Sequence, residues 1–169
     1  MMVVGILASL LVWKLTHEPA PPKIGARAPG FSLPRLDGNG SVSLRPFRGK
    51  AVVLNFFNSA CYACKQESPV LERLWRRDRR RGLVVLGVDA YEFSRGDGTR
   101  FVKARGLTYP IAFDGIGVVA ANGYAALDLP VTYVLDRRGR IVGGELLGAL
   151  NNQIYEQTIH RYVDAALRS

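Results

Sequence analysis

Cysteine and histidine are scarce in this chain. Its 169 residues include two cysteines and two histidines. A structural disulfide framework needs more cysteines joined across wider loops. A tetrahedral zinc site needs four ligands, and His17 and His160 lie far along the chain from Cys61 and Cys64. These shortages argue against a disulfide-stapled scaffold and against a zinc site, so the sequence predicts no metal and a reactive pair of closely spaced thiols.

Acidic residues are also few. The chain has 23 Lys and Arg against 14 Asp and Glu, a formal net charge of +9. Such a charge suits nucleic acid, an anionic membrane surface or acidic partners. The densest basic run, Arg76 to Arg81, contains no aromatic residue and falls at the end of a predicted helix, where cations suit the helix dipole. We therefore predict no nucleic-acid partner and a helix end close to an anionic bilayer.

No long apolar stretch occurs after the N-terminus. The run Met1 to Trp13 would cover about 20 Å as a helix, less than the about 30 Å of a bilayer core. A Pro-rich spacer follows it as far as Lys23. We interpret residues 1–23 as a signal or membrane anchor with its spacer, and residues 24–169 as one domain. A buried core helix is the alternative interpretation of the apolar run.

Hydrophobic patterning predicts an α/β domain. A near-continuous apolar run predicts a buried strand at Ala51–Phe57, followed by a helix from Cys61 to about Arg80 and a strand at Leu83–Ala90. The other predicted elements are a hairpin of 31–33 and 42–44, a helix at 99–105, a strand at 109–113, a helix at 118–124, a hairpin of 131–136 and 141–144, and a final helix from about Asn151. This order predicts a three-layer sandwich: a central mixed sheet with an N-terminal hairpin and an inserted helix-strand unit.

Cys61 and Cys64 stand between the first buried strand and the start of the helix. Free amide groups and the positive end of the helix dipole stabilise a thiolate there and lower its pKa. Cys61 is therefore the predicted nucleophile, and Cys64, one turn further on, can resolve the mixed disulfide. An inert structural disulfide and a two-thiolate Cu(I) site are the alternatives.

Two prolines that follow the cysteine pair in the sequence bear on its surroundings. Pro69 lies inside the predicted helix, where it removes one backbone hydrogen bond and favours a kink. Pro130 opens the strand that starts at Val131, where a tight turn or a cis bond fits. A cis Pro130 would face the cysteines and present the backbone of Leu129 to a substrate strand.

The chain from Ala28 to Leu167 resembles the thioredoxin superfamily, and within it the TlpA/ResA/CcmG-like extracytoplasmic reductases. The resemblance depends on several motifs taken together. They are Ala28-Pro29-x-Phe31-x-Leu33, Leu36-Asp37-Gly38, Gly49-Lys50, the run Val53 to Asn58 followed by Cys61-x-x-Cys64-Lys65-x-Glu67-x-Pro69, and Leu129-Pro130-Val131-Thr132.

This resemblance implies a thioredoxin-like fold and a role for each matching residue. Cys61 resembles the exposed nucleophile and Cys64 the resolving cysteine, and Glu67 would assist proton transfer at Cys64 if it is buried; a solvated carboxylate in the first turn is the alternative. The implied substrate-binding residues are Tyr62, Leu129 and the cis-proline Pro130. Asn55 and Pro69 are implied structural supports, and Asn55 could instead satisfy buried backbone groups.

The implied function is that of a thiol-disulfide oxidoreductase, and the reductive direction is favoured by resemblance alone. Its substrate would be a protein disulfide, with apocytochrome c as one candidate, and a membrane thiol protein would donate the electrons. The protein would act as a cofactor-free monomer on the extracytoplasmic face of a bacterial membrane, N-terminally anchored or else secreted.

A peroxidase of the same fold is the rival enzyme. Its characteristic Pro and Thr or Ser are replaced by Leu54 and Asn58. The chain also departs from the reductase pattern at Ala60, Tyr62, Ala63 and Asp128, which leaves the redox potential open. We further expect Asp89, Asp114 and Asp136 to be turn residues at strand ends.

Overall fold

A computed structural model describes residues 20–147 and 153–169. The strands are β1 (Ser32–Pro34), β2 (Ser41–Ser43), β3 (Ala51–Phe57), β4 (Leu83–Ala90), β5 (Ile111–Asp114), β6 (Val131–Leu135) and β7 (Ile141–Leu147). The helices are α1 (Tyr62–Asp78), α2 (Arg95–Arg105), α3 (Val118–Tyr124) and α4 (Gln153–Arg168). Within the described ranges no helix is long and apolar enough to cross a membrane. The predicted anchor falls largely on residues 1–19, and the predicted start of the last helix on Asn151, outside the described residues.

The central sheet has five strands in the order β5-β4-β3-β6-β7. Strands β3, β4 and β5 are parallel, whereas β6 and β7 run antiparallel to their neighbours. Every residue of β3 and β4 is buried, because both strands lie inside the sheet and carry apolar side chains on both faces. Strands β1 and β2 form a separate antiparallel pair. The predicted mixed sheet and N-terminal hairpin are confirmed.

The two faces of the sheet pack against different elements. Val53 and Phe57 of β3 face one hydrophobic cluster, which contains residues of α1, α2 and α4. Leu54 and Phe56 face the other, which contains residues of α3 and of the N-terminal hairpin. Alternate residues of a strand point to opposite faces, so the continuous apolar run of β3 serves both clusters. This arrangement is the predicted three-layer sandwich.

Several predicted boundaries are wrong. Strand β7 ends at Leu147 instead of Gly144. Helix α2 begins at Arg95 instead of Thr99, because Ser94 caps it by accepting the Asp97 amide at 3.2 Å. Gly96 and Gly98 lower the helix propensity of this first turn, which hides the start from a periodicity argument. Strand β5 begins at Ile111, directly after Pro110, instead of at Tyr109.

The three aspartates at strand ends have different surroundings. Asp136 is a turn residue as predicted, since its Oδ1 accepts the amides of Arg138 and Arg140 at 2.9 and 2.7 Å. Asp114 ends β5 and accepts the Ala120 amide at 2.9 Å. The turn prediction for Asp89 is wrong, because Asp89 lies within β4 and is fully buried.

Candidate active site

Cys61 and Cys64 form a disulfide at the start of α1. Cys61 is the N-cap residue, and its Sγ accepts the Cys64 amide at 3.0 Å, so a helix-end N–H points directly at this sulfur. The Cys61 amide in turn donates to Asn58 Oδ1 at 2.8 Å, which fixes the preceding loop. Cys61 is half-buried, whereas Cys64 is only 1% exposed. An incoming group can therefore reach the sulfur of Cys61 but not that of Cys64.

The peptide bond between Leu129 and Pro130 is cis, as the sequence predicted. Leu129 O lies 3.5 Å from Cys61 Sγ, which places the backbone before β6 beside the disulfide. Pro130 is buried, Leu129 is half-buried and Tyr62 is 73% exposed. The structure thus brings the three predicted substrate-binding residues to the same edge of the sheet as the cysteines.

A buried polar network lies behind the disulfide. The Asn55 amide nitrogen donates to Glu67 Oε1 at 2.6 Å and to Thr132 Oγ1 at 3.0 Å. All three residues are at most 1% exposed. The solvated alternative for Glu67 is therefore wrong. Both hydrogen bonds of the Asn55 amide nitrogen go to side chains. The network ties α1 through β3 to β6, two residues after the cis-proline.

Glu67 also influences a neighbouring phenol. Burial chiefly raises the pKa of Tyr109, and the nearby carboxylates of Glu67 and Glu72 raise it further. Glu72 binds the segment before β5 by accepting the amide and hydroxyl of Thr108 at 2.8 and 2.7 Å. These contacts place the inner face of α1 over a buried region that contains two carboxyl groups.

Helix α1 continues through Pro69. The proline ring has no N–H to offer the carbonyl of Lys65, four residues earlier. The Ser68 hydroxyl donates to that carbonyl at 3.2 Å and replaces the missing bond. A side-chain hydrogen bond therefore compensates for the proline within the helix that carries the cysteines.

A second carboxyl pair, missed in the sequence, supports the loop before Cys61. Glu92, which is 7% exposed, accepts the Ser59 amide at 2.8 Å. Asp89 lies three residues before Glu92, and no N–H or O–H group of the described residues donates to its carboxyl oxygens. Burial chiefly, and then the charge of Glu92, raise the pKa of Asp89 to about 8. The sequence spacing of Asp89 and Glu92 does not predict this contact, because it depends on β4 lying beside the loop that leads to Cys61.

Large apolar side chains are exposed on the loops and at the helix starts at this end of the sheet. They follow β3, β4 and β5 or precede β6, and each is more than half exposed: Tyr62, Phe93, Ile116, Val118 and Leu127. We call these five residues the apolar rim. Apolar side chains grouped in this way mark interaction surfaces more often than isolated ones do.

No group of three or more His, Cys, Asp or Glu residues in the described ranges could hold a metal ion. His160 lies on α4, where Arg77 Nη2 is 3.0 Å from its Nδ1. Burial chiefly lowers the pKa of His160. This histidine belongs to a contact between α1 and α4.

The fold and the cysteine pair define a thiol-disulfide oxidoreductase with a thioredoxin-like fold. Residues 24–143 match the family described as AhpC/TSA, and the chain belongs to that family. The chain is 31% identical over 120 residues to thiol-disulfide oxidoreductase ResA of Bacillus thuringiensis, covering 71% of this chain and 68% of that protein.

Two further similarities cover more of the chain. Thioredoxin-like protein YneN of Bacillus subtilis is 32% identical over 164 residues, covering 92% of this chain and 94% of that protein. A crystal structure of a candidate thiol:disulfide interchange protein DsbE from Chlorobium tepidum superposes with a TM-score of 0.75 at 24% identity. It covers 86% of this chain and 98% of that one, and at this identity it supports the fold alone.

Proposed function

We propose that this protein reduces protein disulfides on the extracytoplasmic face of a bacterial membrane, with residues 1–23 as anchor and spacer and residues 24–169 as the catalytic domain. The observation that carries the proposal is the asymmetry of the cysteine pair: Cys61 is half-buried with a helix-end amide on its sulfur, and Cys64 is buried behind it. That asymmetry supports attack by Cys61 and resolution by Cys64. The apolar run before Trp13 and the resemblance to extracytoplasmic reductases support the location.

The first step consumes the reduced form of the protein. The Cys61 thiolate attacks one sulfur of the substrate disulfide, a new S–S bond forms to Cys61, and the other substrate sulfur leaves as a thiolate. The Cys64 amide and the start of α1 stabilise the negative charge on Cys61 before the attack. Leu129 O beside Cys61 offers a backbone acceptor to an extended segment of the substrate.

The second step releases the product. Cys64 loses its proton and attacks Cys61 Sγ, so that the mixed disulfide breaks and the second substrate sulfur leaves as a thiolate. Two electrons have then passed to the substrate, and Cys61 and Cys64 have become the disulfide. Glu67, buried on the same helix one turn after Cys64, is our candidate to accept the Cys64 proton. A thiol protein of the membrane would return the two electrons.

The apolar rim favours a polypeptide as substrate. In the sequence Tyr62 lies between the two cysteines and Leu127 three residues before the cis-proline, and both are more than half exposed. A folded client seldom offers apolar residues around a disulfide, whereas an unfolded or extended client does. The haem-attachment motif Cys-x-x-Cys-His of an apocytochrome c, in its disulfide form, is such a client.

Two cysteine variants test the assignment. In a protein-disulfide reduction assay, we expect Cys61→Ala to lower activity to the uncatalysed background, because the attacking sulfur is lost. We expect Cys64→Ala to accumulate a one-to-one mixed disulfide with the client that dithiothreitol releases, because resolution is lost. Full activity of Cys61→Ala, or trapping by Cys61→Ala in place of Cys64→Ala, would overturn the proposed roles.

The cytochrome client is tested separately. We expect the reduced protein to reduce an oxidised Cys-x-x-Cys-His peptide with apolar flanking residues faster than a matched peptide with Ser and Lys flanks, because the apolar rim binds the former. Ile116→Ser with Leu127→Ser should remove this difference, and Ile24→Ser, at an exposed isoleucine outside the rim, serves as control. Equal rates for both peptides would contradict an apolar client while leaving the disulfide chemistry intact.

A further inference from the structure

A basic cleft lies at the end of the central sheet opposite the cysteines. Its floor includes Val52 and Leu135, which pair near the start of β3, whereas Cys61 follows the end of that strand. Five cationic side chains line it: Arg27, Arg45, Arg48, Lys50 and Arg138. We call these five residues and the cavity between them the basic cleft. At about 3.3 Å per residue, β3 separates the two ends of the sheet by about 20 Å.

The five cations have no anionic partner among the residues that the structure describes. All five are exposed, and none forms an ion pair there. The one acid in the lining is Asp136, whose Oδ1 already accepts two backbone amides. By contrast, Arg76 and Arg81, near the C-terminal end of α1, pair with Glu72 and Asp78. The cleft thus concentrates positive charge, which favours an anionic ligand.

The cleft floor is apolar, formed by Ala28, Leu44, Phe47, Val52 and Leu135. A free inorganic anion has no apolar surface that could pack against such a floor. A phospholipid at a membrane surface presents phosphate oxygens beside glycerol and acyl carbons, so it suits both the cationic rim and the apolar floor. The combination favours an anionic lipid over a small soluble anion.

The chain enters the described domain beside this cleft. The Gly25 amide donates to Ile141 O at 2.7 Å and the Ala28 amide to Gly139 O at 2.9 Å, so residues 25–28 lie along the β6–β7 turn. Arg27 from the same segment lines the cleft. The apolar run Met1 to Trp13 precedes this point by about a dozen residues. The spacer therefore joins the domain beside the basic cleft, and at about 3.1 Å per residue it keeps the cleft within about 40 Å of a membrane that holds the run.

We propose that the basic cleft binds anionic phospholipid headgroups of the anchoring membrane and thereby turns Cys61 away from the bilayer. The inference rests on the N-terminal anchor of the proposed function. Lipid binding at the cleft would orient the domain. The end of the sheet that carries the disulfide and the apolar rim would point outward, where a client polypeptide can approach, and the opposite end would contact the lipid.

The test uses the full chain mixed with vesicles of phosphatidylcholine, with or without about one quarter phosphatidylglycerol. We expect the anionic lipid to strengthen vesicle binding by about fivefold for each cation of the cleft that reaches the surface. We also expect it to slow amide hydrogen exchange in segments 44–50 and 136–140, which the bound headgroups would cover. The triple variant Arg45→Glu, Arg48→Glu, Lys50→Glu should lose this protection. The charge-matched control Lys103→Glu, Arg105→Glu, Arg161→Glu should keep it, and 1 M salt should remove it by screening.

Several outcomes would overturn the proposal. They are equal exchange in both lipid mixtures, equal loss of protection in the cleft and control variants, and equal protection by inorganic phosphate without anionic lipid. Failure of the anchor gives a different result: the wild-type chain would stay in solution with neutral vesicles. In that case, hydrogen exchange of the wild type and of the cleft variant can still be compared with and without phosphatidylglycerol, so the lipid-binding proposal is tested separately from the anchor.

Discussion

Asp89 carries its carboxyl group inside the protein, next to the loop that leads to Cys61. Gly98 of α2 makes room for it, since a Cβ atom at that glycine would lie 1.9 Å from Asp89 Oδ2. Glu92 is acidic as well, so the two side chains can bond to one another only if one of them keeps its proton. If Asp89 and Glu92 shared one proton, Glu92 Oε2 would still accept the Ser59 amide. We therefore expect Asp89 to influence the active-site loop through Glu92.

This environment predicts an unusual pH dependence of stability. The pKa of Asp89 is raised from 3.8 to about 8, by burial first and Glu92 second. Between pH 4 and pH 8 the folded state therefore keeps a proton that the unfolded state loses, and stability falls as pH rises. We expect Asp89→Asn to be more stable than the wild type at pH 8 by roughly 2–4 kcal/mol and to lose most of that advantage at pH 4.

Urea unfolding of the oxidised protein at several pH values measures this difference. Asp128→Asn, at an exposed aspartate, controls for the loss of a carboxyl group as such. A constant difference between Asp89→Asn and the wild type at all pH values would contradict a proton held at Asp89.

At the scale of elements, the connection between α1 and β6 determines how the cysteines meet the cis-proline. Asn55 on β3 donates to Glu67 on α1 and to Thr132 on β6, so one amide group holds both neighbours. Strand β3 provides the rigid base for this bond because it is buried and paired on both sides. We therefore expect the relative positions of Cys61 and Leu129 to depend on the Asn55 side chain, whose amide nitrogen bonds to Glu67 and Thr132.

Removal of this amide should weaken the connection. We expect Asn55→Ala to lower the free energy of unfolding by about 2–3 kcal/mol, because it removes the donor to two buried oxygen atoms. The same urea titration measures it, with Asn39→Ala in the exposed hairpin turn expected to change stability by less than about 0.5 kcal/mol. A loss for Asn55→Ala no larger than that of the control would show that the network contributes little.

Patterns within a few residues of each other were predictable from the sequence. The bounds of β3, β4 and α3 follow from continuous apolar runs and short periodic segments, and the Cys61 pair follows from its place between strand and helix. Contacts between segments that are distant in the sequence were not predictable. Asn55 and Thr132 are 77 residues apart, and the Glu92 contact with Ser59 spans 33 residues. Such partners depend on strand order and register, which local sequence does not contain.

At the scale of the whole molecule, the candidate active site and the basic cleft lie at opposite ends of one sheet. The cysteines and the apolar rim lie where β3, β4 and β5 end, the edge at which open α/β sheets place their sites. The basic cleft lies where β3 begins. This separation would let the protein remain at a membrane while its reactive edge faces a client. The cleft also shows where part of the net charge of +9 is concentrated, which a count of charged residues cannot show.

The reduction potential of Cys61 and Cys64 tests the central claim most directly. A protein that donates electrons to client disulfides should equilibrate with a thiol buffer at a potential near the about −270 mV of thioredoxin, because its oxidised form must be stable relative to its dithiol. The measurement requires only the purified chain, glutathione or dithiothreitol of known ratio, and quantification of free thiols. We predict a reversible two-electron transition in that region. A value near the about −120 mV of strongly oxidising proteins, or a disulfide that does not exchange at all, would contradict the account.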